Sequence, residues 1–338
     1  MKKWYTSSGD NSDVVMSTRI RLARNLHEYP FPARLDQKGE TQVCEKVRDA
    51  LFGGNSHMKD EFAYIKMDSL SETEAVALAE KHLISPEFAS ERAGRALILN
   101  KDESVSIMLC EEDHVRIQVM APGLDMEGAY ETADKIDTLL DSALGFAFDE
   151  NLGYLTQCPT NLGTGMRASV MLHLPALTAC GQIGKLASTV SKLGLTIRGS
   201  YGEGSETKGD FYQLSNQVTL GISEKAAMDN LKSITMQLVE RERNLRKEMI
   251  GSAQIQDKIF RAYGVLKYSR VLSSAEFMEL ISLVRLGACE KLLDISQENI
   301  SEVISAAQPA SLILAKGENA ETQQRDISRA ELVRTKLG

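Results

Sequence analysis

The stretch Cys158-Pro159-Thr160-Asn161-Leu162-Gly163-Thr164-Gly165, closed by Met166-Arg167-Ala168-Ser169, gathers groups that can do chemistry. It holds a thiol, backbone N–H groups freed by glycine, and an arginine where regular structure resumes. Such a loop can approach a phosphate closely and offer it a bidentate cation. An ordinary strand–loop junction has the same composition. A second candidate is Ser17-Thr18-Arg19-Ile20-Arg21-Leu22-Ala23-Arg24-Asn25. Alternation puts Arg19 and Arg21 on one face of an extended segment and Ile20 and Leu22 on the other. Two guanidinium groups pointing the same way repel unless an anion lies between them, and a polyphosphate fits. A solvated edge strand is the plainer meaning. Glu111-Glu112-Asp113-His114-Val115-Arg116 is by default a solvated acidic turn. Four glycines between Gly199 and Gly209 predict a mobile loop, either one that closes over bound substrate or a plain hairpin. Last, Arg325-Asp326-Ile327-Ser328-Arg329-Ala330 reads on its own as an i,i+4 charged helix face.

These groups need elements to hold them. Leu152–Thr156 and Ser169–Leu174 read as strands on either side of the cysteine loop. Ala96–Asn100, Ser104–Leu109 and Val115–Met120 read as further strands, the first two a hairpin around Lys101-Asp102-Glu103. Leu195–Arg198 and Phe211–Leu220 flank the glycine-rich loop. Residues 40–52, 71–84, 126–144, 177–193 and 223–250 carry helical apolar spacing, and Ser71 with Glu74 forms a capping box. His82, near the end of the second of these, would ordinarily be a structural or surface histidine. Beyond Gly251 only helix-like segments remain, at about 252–264, 273–286, 297–306 and 324–336, without a further catalytic motif. The expected division is therefore 1–250 and 251–338, the second part a small helical bundle able to pair subunits.

The 338 residues, 43% apolar and 25% charged, suit a globular protein with a substantial core. A net charge of −8 argues against nucleic-acid binding, so clustered arginines should face a specific anion. No apolar run has the length of a membrane span, and Met1-Lys2-Lys3-Trp4 leads into polar residues rather than a signal segment. Five scattered cysteines disfavour both disulfides and a zinc site and point to a reducing cytoplasm.

Taken together the strings resemble the phosphagen (guanidino) kinases, whose Cys-Pro-Thr-Asn-Leu-Gly-Thr signature is long and specific. The resemblance runs motif by motif over about residues 14–250 and continues at the C-terminus. It implies an α+β fold, an antiparallel β-sheet flanked by helices, followed here by the small all-helical domain. It implies ATP and Mg²⁺ as cofactors, with no metal-ligating side chains of its own. Nucleotide contacts would come from Ser17, Thr18, Arg19, Ile20 and Arg21, from His82 and Arg116, from Arg167, Ala168, Ser169, Val170 and Met171, and from Arg198, Gly199, Ser200, Tyr201, Gly202 and Glu203. Glu112 and Glu203 would hold the acceptor guanidinium, and Cys158 would position it. Cys110 stands where the family usually has Asn.

Within that superfamily the sequence is most similar to the bacterial protein arginine kinases. Kinases of free arginine or creatine carry a helical domain of roughly a hundred residues before the Ser-x-Arg-x-Arg motif, whereas 16 residues precede Ser17 here. The string Arg325, Asp326, Ile327, Ser328, Arg329, Ala330 is similar to the motif by which protein arginine kinases bind phosphoarginine away from the active site. The resemblance thus implies ATP-dependent phosphorylation of arginines exposed on protein substrates, marking them for Clp-type proteolysis. An activator protein, the Clp machinery and a second copy in a homodimer are the implied partners. A small-molecule guanidino kinase and a non-catalytic phosphoarginine reader are the alternatives.

Overall fold

The computed structural model describes residues 3–53, 60–199, 209–317 and 321–337. Its strands, in chain order, are β1 (Val15–Arg24), β2 (Phe62–Lys66), β3 (Ala96–Asn100), β4 (Val105–Leu109), β5 (Val115–Pro122), β6 (Phe148–Asp149), β7 (Gly153–Tyr154), β8 (Met166–His173), β9 (Leu195–Gly199) and β10 (Phe211–Asn216). Eight of them form one antiparallel sheet in the order β2-β3-β4-β5-β1-β8-β10-β9, while β6 and β7 pair separately. The Arg-x-Arg strand is thus central, paired on both sides, and not a solvated edge.

Pleating gives the sheet two unlike faces. Ile20, Leu22, Ile117, Val119, Ala168, Val170 and Leu172 turn to one face. There they meet the helices Gln37–Phe52, Met126–Leu144 and Glu224–Ile250 through Val43, Val47, Ala133, Ile136, Leu140, Leu231 and Leu238. A smaller cluster at the β2–β4 end packs Leu97 and Met108 against Ala75 and Phe88, from the helices Glu72–Glu80 and Pro86–Ser90. The C-terminal helices Ala253–Tyr268, Ser274–Cys289, Gln297–Ala306, Pro309–Lys316 and Thr322–Leu337 build a third core. Phe211 of β10 and Met16 join it, so these helices rest on the second face of the sheet near one end.

Most helix starts follow local chemistry. Ser71 and Glu74 form the expected capping box, and Ser223, Ser273 and Ser296 each accept a hydrogen bond from the N–H three residues on. Other boundaries differ from the sequence expectation. The helix expected to 84 stops at Glu80 because His82 adopts a left-handed conformation (φ 59°). The single helix expected over 177–193 is two, Pro175–Ala179 and Ile183–Ser191, broken at Gly181 (φ 66°). The strand expected to reach 220 ends at Asn216, whose side chain takes over the pairing with β8 by accepting from Ala168 N–H (2.8 Å) and donating to Met166 O (3.1 Å). The strand expected over Leu152–Thr156 shrinks to Gly153–Tyr154. Pro309–Lys316 had no counterpart in the sequence reading, since its 8 residues span too few turns to show a period.

Candidate active site

Strand register assembles the cationic cluster. Arg21 lies directly opposite Arg167 on β8, and Arg19 lies opposite Ser169 on β8 and Met120 on β5. Arg116 of β5 is one pleat further along, opposite Ala23. On β9 the exposed Arg198 pairs with Gln213 of β10. Four arginines from three adjacent strands therefore share one face, and Arg198 stands at its margin.

Their charges are only partly compensated. Burial, then Arg19, Arg116 and Arg167, push Arg21 well below its ordinary pKa, and burial with Arg116 brings Arg19 to about 10. Arg21 Nε is buried without a hydrogen-bond partner among the described residues. Among the described residues Arg19 donates to neutral groups only, Gln213 Oε1 at 2.8 Å and Ser169 Oγ at 3.3 Å. Of these arginines Arg116 alone is salt-bridged among the described residues, to Glu111. Burial by itself would raise the Glu111 carboxyl, but Arg116, Ser85 Oγ (2.6 Å) and the Glu112 N–H (3.0 Å) outweigh it and hold it below the usual range. A stack of guanidinium groups with one buried donor unclaimed is a site for a polyanion.

Glu112 stands on the turn between β4 and β5, and that turn is held from several sides. Asn25 donates to Asp113 Oδ1 (2.6 Å) and accepts from His114 N–H (3.0 Å), while Gln157 N–H also donates to Asp113 (2.8 Å). The His114 ring accepts from Leu26 N–H at Nδ1 (3.0 Å) and donates from Nε2 to Pro30 O (2.9 Å), which assigns its neutral tautomer. Cys110 opens the turn in a left-handed conformation (φ 59°), with its N–H on His114 O. Asn tolerates that backbone better than most residues, a physical reason for Asn at this place in the resembled family. Here the buried Cys110 thiol packs near Cys44 instead, and their contact, with burial, raises its pKa.

The cysteine loop comes back over this turn. Asn161 accepts from Arg167 Nε (3.1 Å) and donates to Glu112 Oε2 (3.4 Å), bridging the cationic cluster and the carboxylate. Thr160 Oγ1 lies 3.0 Å from both Cys158 Sγ and Arg167 Nη2. Thr219 Oγ1 donates to Thr160 O and Leu162 O and ties the loop to the segment after β10. Thr160, Asn161 and Thr219 had no role assigned from sequence. The first two lie inside the signature string, but their bonding depends on a loop conformation that spacing does not encode.

A cavity runs along the same face, lined by Ser17, Arg19, His82, Ser169 and Met171 among others. The His82 ring is lowered to about 4 by burial and by Arg19, so it is neutral near pH 7. Other expected nucleotide residues are placed elsewhere. Thr18, Ile20, Ala168 and Val170 turn to the opposite face and are buried in the core, where Thr18 Oγ1 donates to Gly123 O (2.7 Å). Ser200, Tyr201, Gly202 and Glu203 lie outside the described residues, after Gly199 at the end of β9. Among the described residues no group of three or more His, Cys, Asp or Glu could hold a metal ion.

Arg325, Asp326, Ile327, Ser328, Arg329 and Ala330 all sit on the helix Thr322–Leu337. Arg329 turns inward, 1% exposed, donating to Ala307 O (2.9 Å), Leu272 O (2.8 Å) and Asp326 Oδ1 (2.6 Å). Arg325 donates to Thr322 Oγ1 (3.0 Å), and Ile327 is exposed. Asp326 and Arg329 are thus brought together, but Arg329 is committed to the packing of its own helices.

Comparison with known proteins agrees with this geometry. Residues 42–245 match the family described as ATP:guanido phosphotransferase, C-terminal catalytic domain, and residues 252–338 match the protein-arginine kinase McsB C-terminal domain. The protein-arginine kinase of Halothermothrix orenii is 45% identical over 340 residues, covering 100% of this chain and 97% of that protein. That of Caldanaerobacter subterraneus is 44% identical, covering 97% and 98%. Among solved structures, lombricine kinase superposes with a TM-score of 0.62 at 25% identity, covering 71% of this chain and 69% of its own. A duplicated taurocyamine kinase from Schistosoma mansoni reaches 0.64 at 27% identity over 75% of this chain, which spans 38% of that longer chain.

Proposed function

The chain belongs to the ATP:guanido phosphotransferase family and carries the C-terminal domain of its protein-arginine kinases, and from that premise we propose how its residues phosphorylate arginine side chains of proteins. The observation that carries the reading is likeness to protein-arginine kinases at 45% identity over 100% of the chain. The kinases of small guanidines among the solved structures are similar at only 25–27%.

ATP is the phosphoryl donor, its phosphates lying along Arg19, Arg21, Arg116 and Arg167, with Arg198 at the margin. The unclaimed Arg21 Nε supports that assignment. Mg²⁺ bound with the nucleotide would supply charge neutralisation at the phosphates, held there by phosphate oxygens and water more than by side chains. A guanidinium is a poor nucleophile, protonated and with delocalised lone pairs. Glu112 orients one of its nitrogens toward the γ-phosphorus and accepts the proton released as the N–P bond forms and the bond to the β-phosphate oxygen breaks. ADP leaves, and the product is phosphoarginine. Asn161 keeps Glu112 in register with Arg167, because it bonds both. Glu203 is proposed as the second carboxylate on the guanidinium. Cys158, on the loop beside Thr160, is proposed to position the acceptor and not to act as a covalent nucleophile.

The finer assignments are part of the same proposal. They are a catalytic unit over 1–250 with a helical unit over 251–338, a homodimer, allosteric control through phosphoarginine at Asp326 and its neighbours, a protein activator, and delivery of products to Clp-type proteolysis in the cytoplasm. Among the described residues no helix is long and apolar enough to cross a membrane. The test is incubation with γ-labelled ATP and either a denatured protein or free arginine, with Glu112→Gln as control. Acid-labile label on protein arginine, absent with the variant, is expected. Label on free arginine alone would favour the small-guanidine reading, and none on either would favour a non-catalytic reader.

A further inference from the structure

The cavity that begins at Arg19 and His82 does not end at the sheet. Its far wall is Ser301, Ile304, Ser305 and Gln308. Those positions fall at i, i+3, i+4 and i+7, one stripe that runs along the helix Gln297–Ala306 and off its C-terminal end. Its rim is Trp4 and Tyr5, from the short turn of helix Trp4–Thr6. Met16, Met120 and Met171 supply its apolar surface. The N-terminal turn packs against that helix, with Tyr5 near Glu103 and Ser305, and burial followed by the Glu103 carboxylate raises the Tyr5 hydroxyl to about 12.

Polarity is graded along this slot. On β1, going from Arg21 past Arg19 to Ser17 covers four residues, about 13 Å. On β8 the paired positions change from Arg167 through Ser169 to Met171. Guanidinium groups thus give way to hydroxyls and then to thioethers, in the order that the phosphates, ribose and base of a nucleoside triphosphate would need. Thioether side chains adapt to a flat aromatic ring. At the apolar end one donor is unclaimed, the buried Trp4 Nε1, which has no hydrogen-bond partner among the described residues.

We propose that the C-terminal helical region and the Trp4–Thr6 turn form the base-binding half of the nucleotide site, with Met16, Met120, Met171 and Ile304 enclosing the base and the Trp4 indole N–H donating to it. This rests on the ATP reading given above. It makes residues some 280 positions beyond Arg19 part of nucleotide recognition, although a helical bundle by itself would serve only packing or subunit contact.

Trp4 is the single tryptophan of the chain, so indole emission reports on this slot alone. The full chain is titrated with MgATP and, separately, with magnesium tripolyphosphate, which has the charge but no base. ATP should change Trp4 emission, and tripolyphosphate should compete with ATP without reproducing that change. Ser301→Phe, which fills the slot, should weaken ATP by at least about tenfold while leaving tripolyphosphate binding by calorimetry unchanged. Trp4→Phe, which keeps the shape and removes the donor, should show the same selective loss by calorimetry to a smaller extent, and it serves if Ser301→Phe fails to fold. ATP binding of wild-type strength in the variants, or an equal Trp4 response to tripolyphosphate, overturns the inference and leaves the ATP reading intact. A wild-type chain that binds tripolyphosphate but not ATP overturns the ATP reading itself.

Discussion

At the scale of single side chains, the proposed chemistry rests on Glu112 and the residues that hold it. Glu112→Gln keeps size and removes only charge and basicity. Turnover should fall by about 10²–10⁴, while ATP affinity by calorimetry stays near wild type. Near-normal turnover would remove Glu112 as the base. The turn beneath it depends on a neutral histidine. Burial lowers His114 to about 4 despite the bond to Pro30 O, and His82 is lowered to a similar value by burial and Arg19. Both values lie below the ordinary histidine value near 6.5. The unfolded chain therefore binds more protons between about pH 6.5 and 4. The stability these rings contribute is complete above pH 6.5 and is lost as pH falls through 4. Denaturant unfolding across that window should show declining stability, with a shallower decline in His114→Gln. Equal slopes would mean that His114 titrates normally in the fold.

Among the elements, the helix Glu224–Ile250 is tied to the end of β8 by a pair that sequence periodicity would place as ordinary surface charges. Glu242 and Arg246, spaced i,i+4, are both 0% exposed. Glu242 accepts from Ala176 N–H (3.0 Å) and Leu177 N–H (2.9 Å), satisfying the first turn of Pro175–Ala179, and Arg246 donates to His173 O (2.8 Å) and Asp13 O (3.0 Å). Removing one partner strands the other in the core. Glu242→Ala should cost about 3–5 kcal/mol in chemical denaturation, while replacing both residues by apolar ones of similar volume should cost much less. A single-variant loss within experimental error would show that water reaches Arg246. Arg24 and Asp137 repeat the arrangement beside the site. Arg24 is 2% exposed, lies 3.5 Å over the Tyr154 ring, and donates to Thr164 O of the cysteine loop.

For the molecule as a whole, the packing of the C-terminal helices decides how the Asp326–Arg329 pair can act. Arg329 links three helical segments through Ala307 O, Leu272 O and Asp326. Asp326→Ala would leave a buried guanidinium without its acid. It should lower stability by up to about 3 kcal/mol, less than a fully buried pair because the Asp326 side chain is partly exposed. Thermal unfolding with and without phosphoarginine separates two roles. A lowered midpoint without ligand marks a packing role, whereas an unchanged midpoint with lost ligand stabilisation would leave Asp326 a binding residue only. Glu80 makes a further cross-link, accepting from Ala310 N–H (2.8 Å) and Ser311 N–H (3.1 Å) at the start of Pro309–Lys316, two residues before His82.

By itself the sequence determined what local chemistry controls. Serine caps set the helix starts at Glu72, Glu224, Ser274 and Gln297. Alternation put Arg19 and Arg21 together and away from Ile20 and Leu22, and a long signature string identified the family. Alternation orders residues within one strand but says nothing about the register of its neighbours, which depends on pairings between residues as far apart as Arg21 and Arg167. Only the tertiary structure therefore decided that Arg21 Nε has no hydrogen-bond partner among the described residues, that Asn161 joins Arg167 to Glu112, and that Thr18 and Val170 belong to the core. It alone turned Arg329 inward and set Ile304 and Trp4 at the far end of the slot, because contacts across some 300 residues arise from packing faces that no local pattern can pair.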